Sequence, residues 1–530
     1  MSPCKWTGLS IALGAAIGLT ATGPSLAADG VEVTPAVHHD TLHSLRGTMP
    51  RPDDFAKNPH AHPLHPLPFI DGPGNQADAA VQGAAGTTGF APVLGAGFDG
   101  VGQGFSGPQG SFEVNSAPPD TNGAVGATQY LQIANTGFAV FDKATKAVSY
   151  GPVPTNTLWS GFGGPCEADN DGDAVVVYDK AAGRWVVSQF AVTATPYYQC
   201  VAVSATSDAT GAWYRYAFSY GNVFPDYPKM GVWPDAYYET FNMFTSTFVG
   251  AKLCAYDRAA MLNGQAATQQ CFQLSSSYGG ILRADLDGHT APPAGAPNYM
   301  LNFGSNSLNL WRFHVDWTNS ANTTLNGPIN IPVAPFSAAC RGGTCIPQYG
   351  TRQKLDSLGD RLMFRLAYRN FGDHESLVVN HSVAVGTKHN NAYTGVRWYE
   401  LRNPGGTPVV YQQSTYSPDT SYRWMGSVAM DKQGNLALGY SVSSSAIHPA
   451  IRYTGRLASD PLNTLQAENS IIEGLGSQSG NNLARWGDYS AMTVDPADDC
   501  TFWYTTEYLR NTGSFNWNTR IASFKFPGCQ

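Results

Sequence analysis

The sequence has few charged residues. Asp, Glu, Lys and Arg together make up 13% of the chain, against about 25% in a typical soluble protein. The balance is acidic, with a net charge of −8 and a pI near 5.8. Such a chain offers no basic surface to a phosphate backbone. We therefore expect no nucleic-acid partner.

Long apolar runs are also missing after the first residues, so we expect no membrane span, which would need about 20 apolar residues. The N-terminus has a charged start, an apolar run over 9–19 and small residues ending at Ala27. This pattern is typical of a signal peptide over residues 1–27, cleaved after Ala27. We expect a secreted protein, extracellular or periplasmic, and a monomer.

The sequence contains no GxSxG, HExxH or phosphate-loop motif, and no CxxC pair. Nine cysteines are present, and eight remain once Cys4 leaves with the signal peptide. An even number in an exported chain favours disulfides over zinc. The predicted layout pairs neighbouring cysteines, although about 105 pairings are formally open: Cys166 with Cys200, Cys254 with Cys271, Cys340 with Cys345, and Cys500 with Cys529.

Turn-formers and aromatics are abundant, with 57 Gly, 35 Pro and 12% aromatic residues. This composition is typical of an all-β protein with many short strands. Residues 28–110 show no sustained periodicity and predict a loosely structured leader. The leader contains a histidine cluster that is either a metal-binding tract or part of a disordered segment: His38, His39, His43, His60, His62 and His65.

From residue 111 to residue 530, polar segments recur, each followed by an apolar strand and a hairpin. Their intervals of about 50 to 70 residues fit four-stranded propeller blades with long loops. The last blade lacks a strand, which we expect a segment within 90–105 to supply. The sequence therefore predicts a seven-bladed β-propeller closed by an N-terminal strand. The polar segments are 118–123, 167–173, 224–229, 283–287, 354–357, 421–424 and 484–489.

Each segment leads into the first strand of its blade, so all seven should meet at one axial mouth. Such a concave, charged site is a normal place for a ligand. Asp226 and Asp488 are candidates for an acid and base pair in glycoside hydrolysis, and Tyr227 or Tyr489 for a nucleophile or acid. The candidate substrate-binding residues are Asp120, Lys229, Arg283, Asp356, Arg423, Arg485 and Trp486, with Asp173 and Asp285 at the same rim.

Arg423 and Arg485 could each bind a substrate carboxylate through both guanidinium nitrogens. The first hypothesis is therefore a secreted glycoside hydrolase or polysaccharide lyase that acts on an acidic polysaccharide or glycoconjugate. The second is a non-catalytic glycan- or protein-binding propeller. At any single position, the polar residue could simply cap a strand end.

The run 169–173 places Asp169, Asp171 and Asp173 at alternate positions. This spacing lets several oxygens surround a calcium ion, although the run does not match the EF-hand loop. Calcium is therefore a possible cofactor, with a solvated acidic turn as the alternative. We expect no organic cofactor.

The turn at 206–213, Thr-Ser-Asp-Ala-Thr-Gly-Ala-Trp, resembles the Asp-box turn of sialidase-like β-propellers, although its glycine comes one place late and Ala212 replaces a threonine. The turn at 459–465 is a weaker match. The span 118–529 also resembles a family of uncharacterised secreted bacterial proteins that share Pro-Pro-Asp-Thr-Asn-Gly and Arg-Trp-Gly-Asp-Tyr-Ser. The resemblance implies a propeller fold. It transfers no catalytic residue, because Asp boxes lie away from the active site.

Overall fold

The computed structural model describes residues 1–2, 30–50, 60–63, 65–68, 78–83, 92–386, 393–480 and 483–530. The predicted export signal and its cleavage site lie almost wholly outside the described residues, so the signal remains a prediction.

Strands dominate this part of the chain and form seven antiparallel units, each with strands that follow one another in sequence. The units are Asn122–Val125, Gln129–Ala134, Gly137–Asp142 and Val148–Pro154; Val175–Asp179, Arg184–Ala191, Tyr197–Ser204 and Trp213–Gly221; Phe224–Val232, Tyr237–Phe244, Phe248–Tyr256 and Thr268–Gln273; Leu282–Asp287, Asn298–Gly304, Ser307–His314 and Thr324–Pro332; Met363–Asn370, Glu375–Val385, Tyr393–Arg402 and Val409–Tyr416; Tyr422–Met430, Leu436–Ser444, Ile447–Arg456 and Asn469–Ile472; and Ala491–Val494, Phe502–Tyr508 and Asn518–Lys525. We number them units 1 to 7 in chain order.

The first strands of the units surround a common axis. Each contacts the first strand of the next unit, and the first strand of unit 7 contacts that of unit 1. The first strands of units 4 and 5 even pair in parallel, with Ala284 opposite Leu366. This radial arrangement is that of a β-propeller.

Hydrophobic side chains on both faces of each sheet hold the units together. In unit 2, Val176 and Val187 pack in one cluster with Ile133 of unit 1. Their neighbours Val177 and Val186 point to the opposite face and pack in another cluster with residues of unit 3. Successive side chains of a strand alternate between faces, so a continuous apolar run such as 175–177 serves two interfaces.

Segments of the leader extend four of the sheets. Val93–Asp99 pairs antiparallel with Asn518–Lys525 of unit 7, inside the range expected for a closing strand. Glu32–Pro35 adds to unit 3 and His38–Leu42 to unit 2, while Val81–Gln82 pairs in parallel with unit 5. These described parts of the leader are therefore ordered on the edges of the sheets, where free backbone groups gain partners, and not loosely structured.

The remaining elements are short. Strand pairs form between His60–Ala61 and Ser116–Ala117, Ser106–Gly107 and Gly110–Ser111, and Thr344–Ile346 and Leu355–Asp356. The α-helices are Gly164–Ala168 and Arg258–Leu262, and the 3₁₀-helices are Thr155–Trp159, Ser320–Asn322 and Ala339–Gly342. Among the described residues, no helix has the length and apolar character needed to cross a bilayer.

Four disulfides have the neighbour-to-neighbour pairing that the sequence layout predicts. Cys166–Cys200 and Cys254–Cys271 lie in units 2 and 3, while Cys500–Cys529 ties the C-terminus to unit 7. Cys340–Cys345 closes the small loop before unit 5. Disulfides of this number are typical of proteins from oxidising compartments.

Candidate functional site

The chain enters all seven first strands through a residue with positive φ. Such a left-handed residue turns the backbone sharply at the mouth, and Asp and Asn tolerate this conformation better than most residues do. Units 4, 5 and 6 have Gly280, Leu358 and Met425 at this point. The seven residues are Asp120 (46°), Asp173 (48°), Tyr227 (58°), Gly280 (60°), Leu358 (43°), Met425 (57°) and Asp488 (60°).

A cavity of about 680 Å³ lies at this mouth, mainly over units 1 to 3. The loops that enter first strands form part of its wall, and the loops between second and third strands form another part. Leader histidines form the rest. The lining residues that bear on the chemistry are His60, His62, His65, Asp171, Asp173, Phe190, Tyr197, Phe224, Asp226, Tyr227, Phe244, Arg361, Arg485 and Asp488.

Asp120 and Asp173 form a carboxyl pair at the base of the cavity. Asp120 is 3% exposed and interacts with the carboxylate of Asp173. Burial, together with the nearby carboxylates of Asp488 and Asp173, raises the pKa of Asp120 well above its usual range. The backbone N–H of Tyr227 donates to Asp173 Oδ2 at 3.2 Å, which fixes the second carboxylate. Burial therefore favours the protonated form of Asp120 beside the carboxylate of Asp173.

Both guanidinium groups that line the cavity are paired with an adjacent carboxylate. Arg485 donates from Nε to Asp488 Oδ1 at 3.0 Å and from Nη2 to Oδ2. Arg361 donates from Nε and Nη2 to Asp360 at 2.7 and 3.0 Å and stacks over the ring of Tyr227 at 4.6 Å. Because two parallel hydrogen bonds occupy each fork, neither arginine is a free receptor for a substrate carboxylate.

Lys229 lies against the rings of Tyr227 and Tyr489 at the mouth. Its side chain is fully buried, with Nζ 3.6 Å and 3.7 Å from the ring centroids of Tyr227 and Tyr489, and it donates to Pro228 O at 2.9 Å. Burial lowers the pKa of Lys229 to about 8, despite the carboxylates of Asp173 and Asp120 nearby. The structure therefore places Lys229 behind the tyrosines and not against a ligand.

The two tyrosines do not have the property that a nucleophile needs. Burial raises the pKa of Tyr227 and of Tyr489 well above the usual value for a phenol, and both hydroxyl groups are buried without a hydrogen-bond partner. A nucleophilic or acidic role would need a lowered pKa. The nucleophile role proposed for these tyrosines has no support in this environment.

Aromatic rings form one wall of the cavity. The centroid of Phe224 lies 5.9 Å from that of Phe190 and 5.6 Å from that of Tyr197. Rings with a few convergent polar groups are the usual lining of a small-molecule site. None of these four aromatics (Phe190, Tyr197, Phe224 and Phe244) is among the site residues predicted from the sequence, although Phe224 opens one of the seven polar segments.

Several residues expected at the mouth lie elsewhere. Arg423 is fully buried in unit 6, where Asp419 and Glu468 each accept two hydrogen bonds from its guanidinium group. Trp486 is buried and donates from Nε1 to Ser441 Oγ at 3.1 Å. Both side chains point into the sheets instead of the cavity.

Asp285 and Asp356 are also engaged in the protein. Asp285 accepts from Val232 N–H at 2.9 Å and from Arg365, further along the axis. Asp356 accepts from Leu358 N–H at 2.7 Å and does not line the cavity.

Arg283 is fully buried among the first strands, with its guanidinium carbon 5.2 Å from the Phe364 ring. It does not line the cavity either. The structure thus brings together Asp120, Asp173, Asp226 and Asp488 from distant segments. Asp356 interacts with Asp488 and Arg485 behind the cavity lining, whereas Arg283, Asp285 and Arg423 lie apart from the cavity.

The acidic run 169–173 is already hydrogen-bonded. Asp171 accepts from Val192 N–H at 2.6 Å and from the Thr193 hydroxyl at 2.9 Å, one on each oxygen. Asp173 faces Tyr227 and Asp120 instead. Within the described residues, no group of three or more His, Cys, Asp or Glu side chains could hold a metal ion. Calcium at Asp169, Asp171 and Asp173 stays a prediction from the sequence pattern.

No protein-family model and no curated protein matches the sequence. Among solved structures, the chain aligns with the N-terminal domain of Nup159 at a TM-score of 0.35 and 6% identity, covering 88% of this chain and 100% of that one. An α-L-arabinofuranosidase from Lactobacillus brevis aligns at a TM-score of 0.29 and 12% identity, covering 67% of this chain and 91% of that one. An exo-β-1,3-galactanase from Phanerochaete chrysosporium aligns at a TM-score of 0.30 and 9% identity, covering 81% of this chain and 99% of that one. Similarity at these TM-scores does not establish a shared fold.

Proposed function

We propose that this chain is a secreted glycoside hydrolase that cleaves a glycan in the axial cavity of a seven-bladed β-propeller closed by Val93–Asp99. The observation that supports it best is the arrangement of carboxyl groups at the mouth. In one pair, burial and the neighbouring carboxylates of Asp488 and Asp173 raise the pKa of Asp120 and favour its protonated form, while Asp226 lies on the same cavity wall beside His65. Glycoside hydrolysis needs such a division between an acid and a base.

In this proposal Asp173, supplied with a proton by Asp120, protonates the glycosidic oxygen as the bond from the anomeric carbon breaks. Asp226 accepts a proton from the water that attacks that carbon. The aromatic wall around Phe224 would hold the apolar face of a sugar ring. Asp488 has a smaller role than sequence analysis gives it, because Arg485 occupies both of its oxygens.

The charges of the cavity favour a neutral glycan over an acidic one. Arg361 and Arg485 are each neutralised by their own carboxylate, whereas Asp173 and Asp226 face the cavity. A uronate would therefore meet net negative charge. β-Elimination from a uronate also needs a cation at the substrate carboxylate, so hydrolysis is the better candidate than the lyase reaction.

One observation favours the second candidate, a non-catalytic glycan-binding propeller. Asp120, which holds the proton, lies beneath the cavity and not in its lining. If Asp173 cannot pass that proton to a ligand, the aromatic wall and the carboxylates would still form a binding site.

The test is hydrolysis of a panel of neutral polysaccharides (arabinan, galactan, xylan) and acidic ones (polygalacturonate, alginate), followed by release of reducing ends and by absorbance of unsaturated products. We expect reducing ends from at least one neutral polymer. Asp226→Asn and Asp173→Asn should each lower that rate by about 100-fold or more. The matched control is Asp373→Asn, in a turn outside the cavity with an 83% exposed side chain.

Equal rates for wild type and both cavity variants would refute the carboxylate mechanism. Binding of a glycan without any product, measured by calorimetry, would establish the binding propeller instead. Cleavage of the acidic polymers alone would refute the preference for neutral glycans. N-terminal sequencing of protein exported by the native host would test cleavage after Ala27.

A further inference from the structure

A segment of the leader crosses the mouth beside the proposed site. We call residues 60–63 and 65–68 the strap. At its start, His60–Ala61 pairs in parallel with Ser116–Ala117, and His62 N–H donates to Ala117 O at 2.8 Å. In the middle, Arg485 Nη1 donates to His62 O at 3.2 Å. The strap thus runs from the entrance of unit 1 past unit 7.

The far end of the strap is anchored between units 3 and 5. Leu67 N–H donates to Asp360 Oδ2 at 3.4 Å, and the Leu67 side chain is 7% exposed. A Cβ atom on Gly279 would lie 2.9 Å from Leu67 Cδ2, and one on Gly280 would lie 3.1 Å from Cδ1. These glycines therefore leave the space that Leu67 fills.

Between the two anchors, His65 faces the cavity carboxylate Asp226. Its Nδ1 lies 3.6 Å from Asp226 Oδ1. Its ring is held by Phe224 and Phe244, at centroid distances of 5.0 and 5.1 Å. The imidazole is therefore fixed by the strap on one side and by two rings of unit 3 on the other.

We propose that the strap is a permanent part of the site and that His65 is a positioning residue which, when protonated, orients the Asp226 carboxylate as the base and balances its charge. The inference rests on the proposed function, since it assigns a partner to Asp226. It also means that the leader is not a pro-segment to be discarded, because one wall of the cavity would leave with it.

The charged groups around His65 set the direction of its pH dependence. The interaction with Asp226 is the main cause that raises the pKa of His65; Asp173 adds to it, whereas burial and Arg485 oppose it. The imidazolium form is thus present at lower pH and is lost as the pH rises through the raised pKa. Hydrolysis should fall over that alkaline range, because Asp226 then loses its cationic partner.

The main experiment compares wild type with His65→Gln across the pH range, on the polysaccharide that the panel identifies. We expect His65→Gln to lower kcat by about 10- to 100-fold with little change in KM, and to remove the alkaline limb assigned to His65. His65→Ala should regain that limb and part of kcat when imidazole is added. The control is His374→Gln, which breaks a His–Asp pair (His374 Nδ1 to Asp373 Oδ1, 2.7 Å) outside the cavity.

Two outcomes would overturn the inference. A rise in activity for His65→Gln would mean that the strap is an inhibitory plug. A uniform fall with an unchanged pH profile and no imidazole rescue would mean that His65 only supports the fold.

A second measurement needs no substrate. The Cε1–H resonance of His65, assigned by its loss in His65→Gln, is titrated in wild type and in Asp226→Asn, where we expect a lower pKa. If the pKa does not fall, the inference fails by itself. If the pKa falls but no polysaccharide is cleaved, the contact is real and the proposed function is what fails.

Discussion

The protonated carboxyl of Asp120 makes a prediction about stability that does not depend on any substrate. Asp120→Asn replaces the carboxyl by a neutral amide of the same shape. Asparagine tolerates the positive φ of 46° at this position, and its amide can donate to Asp173 as the protonated carboxyl does. The substitution therefore removes the titration and leaves the packing nearly unchanged.

The sign follows from the raised pKa. In the unfolded chain the Asp120 carboxyl ionises near pH 3.9, whereas in the folded protein burial keeps it protonated to much higher pH. In wild type, each pH unit between those two pKa values costs about 1.4 kcal/mol of the free energy of unfolding. Asparagine has no such cost, so the variant should gain stability relative to wild type as the pH rises, up to the folded pKa of Asp120.

The assay is urea unfolding followed by tryptophan fluorescence at several values between about pH 5 and 8. Asp120→Ala should show the same slope with a constant loss of about 1 to 2 kcal/mol, because alanine is strained at positive φ. The control is Asp419→Asn. Hydrogen bonds from Arg423 hold the pKa of Asp419 well below its usual range. The free energy of unfolding of Asp419→Asn should therefore fall furthest below that of wild type near neutral pH, and the difference should shrink as the pH is lowered. A stability difference for Asp120→Asn that is flat, or that falls with pH, would refute the protonated pair.

Three further predictions concern other parts of the molecule. Burial raises the pKa of Glu239 to about 7. The free energy of unfolding of Glu239→Gln should therefore rise by about 3 to 4 kcal/mol relative to that of wild type between about pH 4 and 7. A difference that stays constant with pH in urea unfolding would contradict this. Replacing Cys166 and Cys200, 34 residues apart, with serine should lower the free energy of unfolding by about 4 kcal/mol. Replacing Cys340 and Cys345, 5 residues apart, should lower it by about 2 kcal/mol. The reverse order in denaturant unfolding would contradict the loop-closure explanation. The calcium prediction is tested by measuring Tm with calcium and with a chelator: both oxygens of Asp171 already accept hydrogen bonds, so binding would require the acidic loop to rearrange around the ion and should raise Tm, whereas an equal Tm would remove the calcium prediction.

Sequence reasoning located the segments of the site better than its side chains. The recurring polar segments place Asp120, Asp173, Asp226 and Asp488 at one mouth, because first strands of a propeller converge on its axis. Whether a given side chain then faces the cavity depends on the local register, which the spacing of segments does not contain.

Arg423 and Arg485 illustrate this limit. Both precede a tryptophan in equivalent segments, but Arg423 stands two residues before the left-handed residue Met425, and Arg485 stands three before Asp488. An offset of one residue reverses the side on which an extended chain presents its side chain. Arg423 accordingly enters unit 6 toward Glu468, whereas Arg485 lines the cavity.

The strap is the part that no local pattern could predict. His65 comes from a leader without periodicity and contacts Asp226 of unit 3, so only the folded ring brings the two together. Arg361 and Arg485 are each bound to a carboxylate of their own, and Lys229 is buried behind the tyrosines. Among the described residues, His65 is the basic side chain that lies within 4 Å of Asp226. If this contact is needed for hydrolysis, loss of the leader should abolish activity even where the ring of strands stays folded.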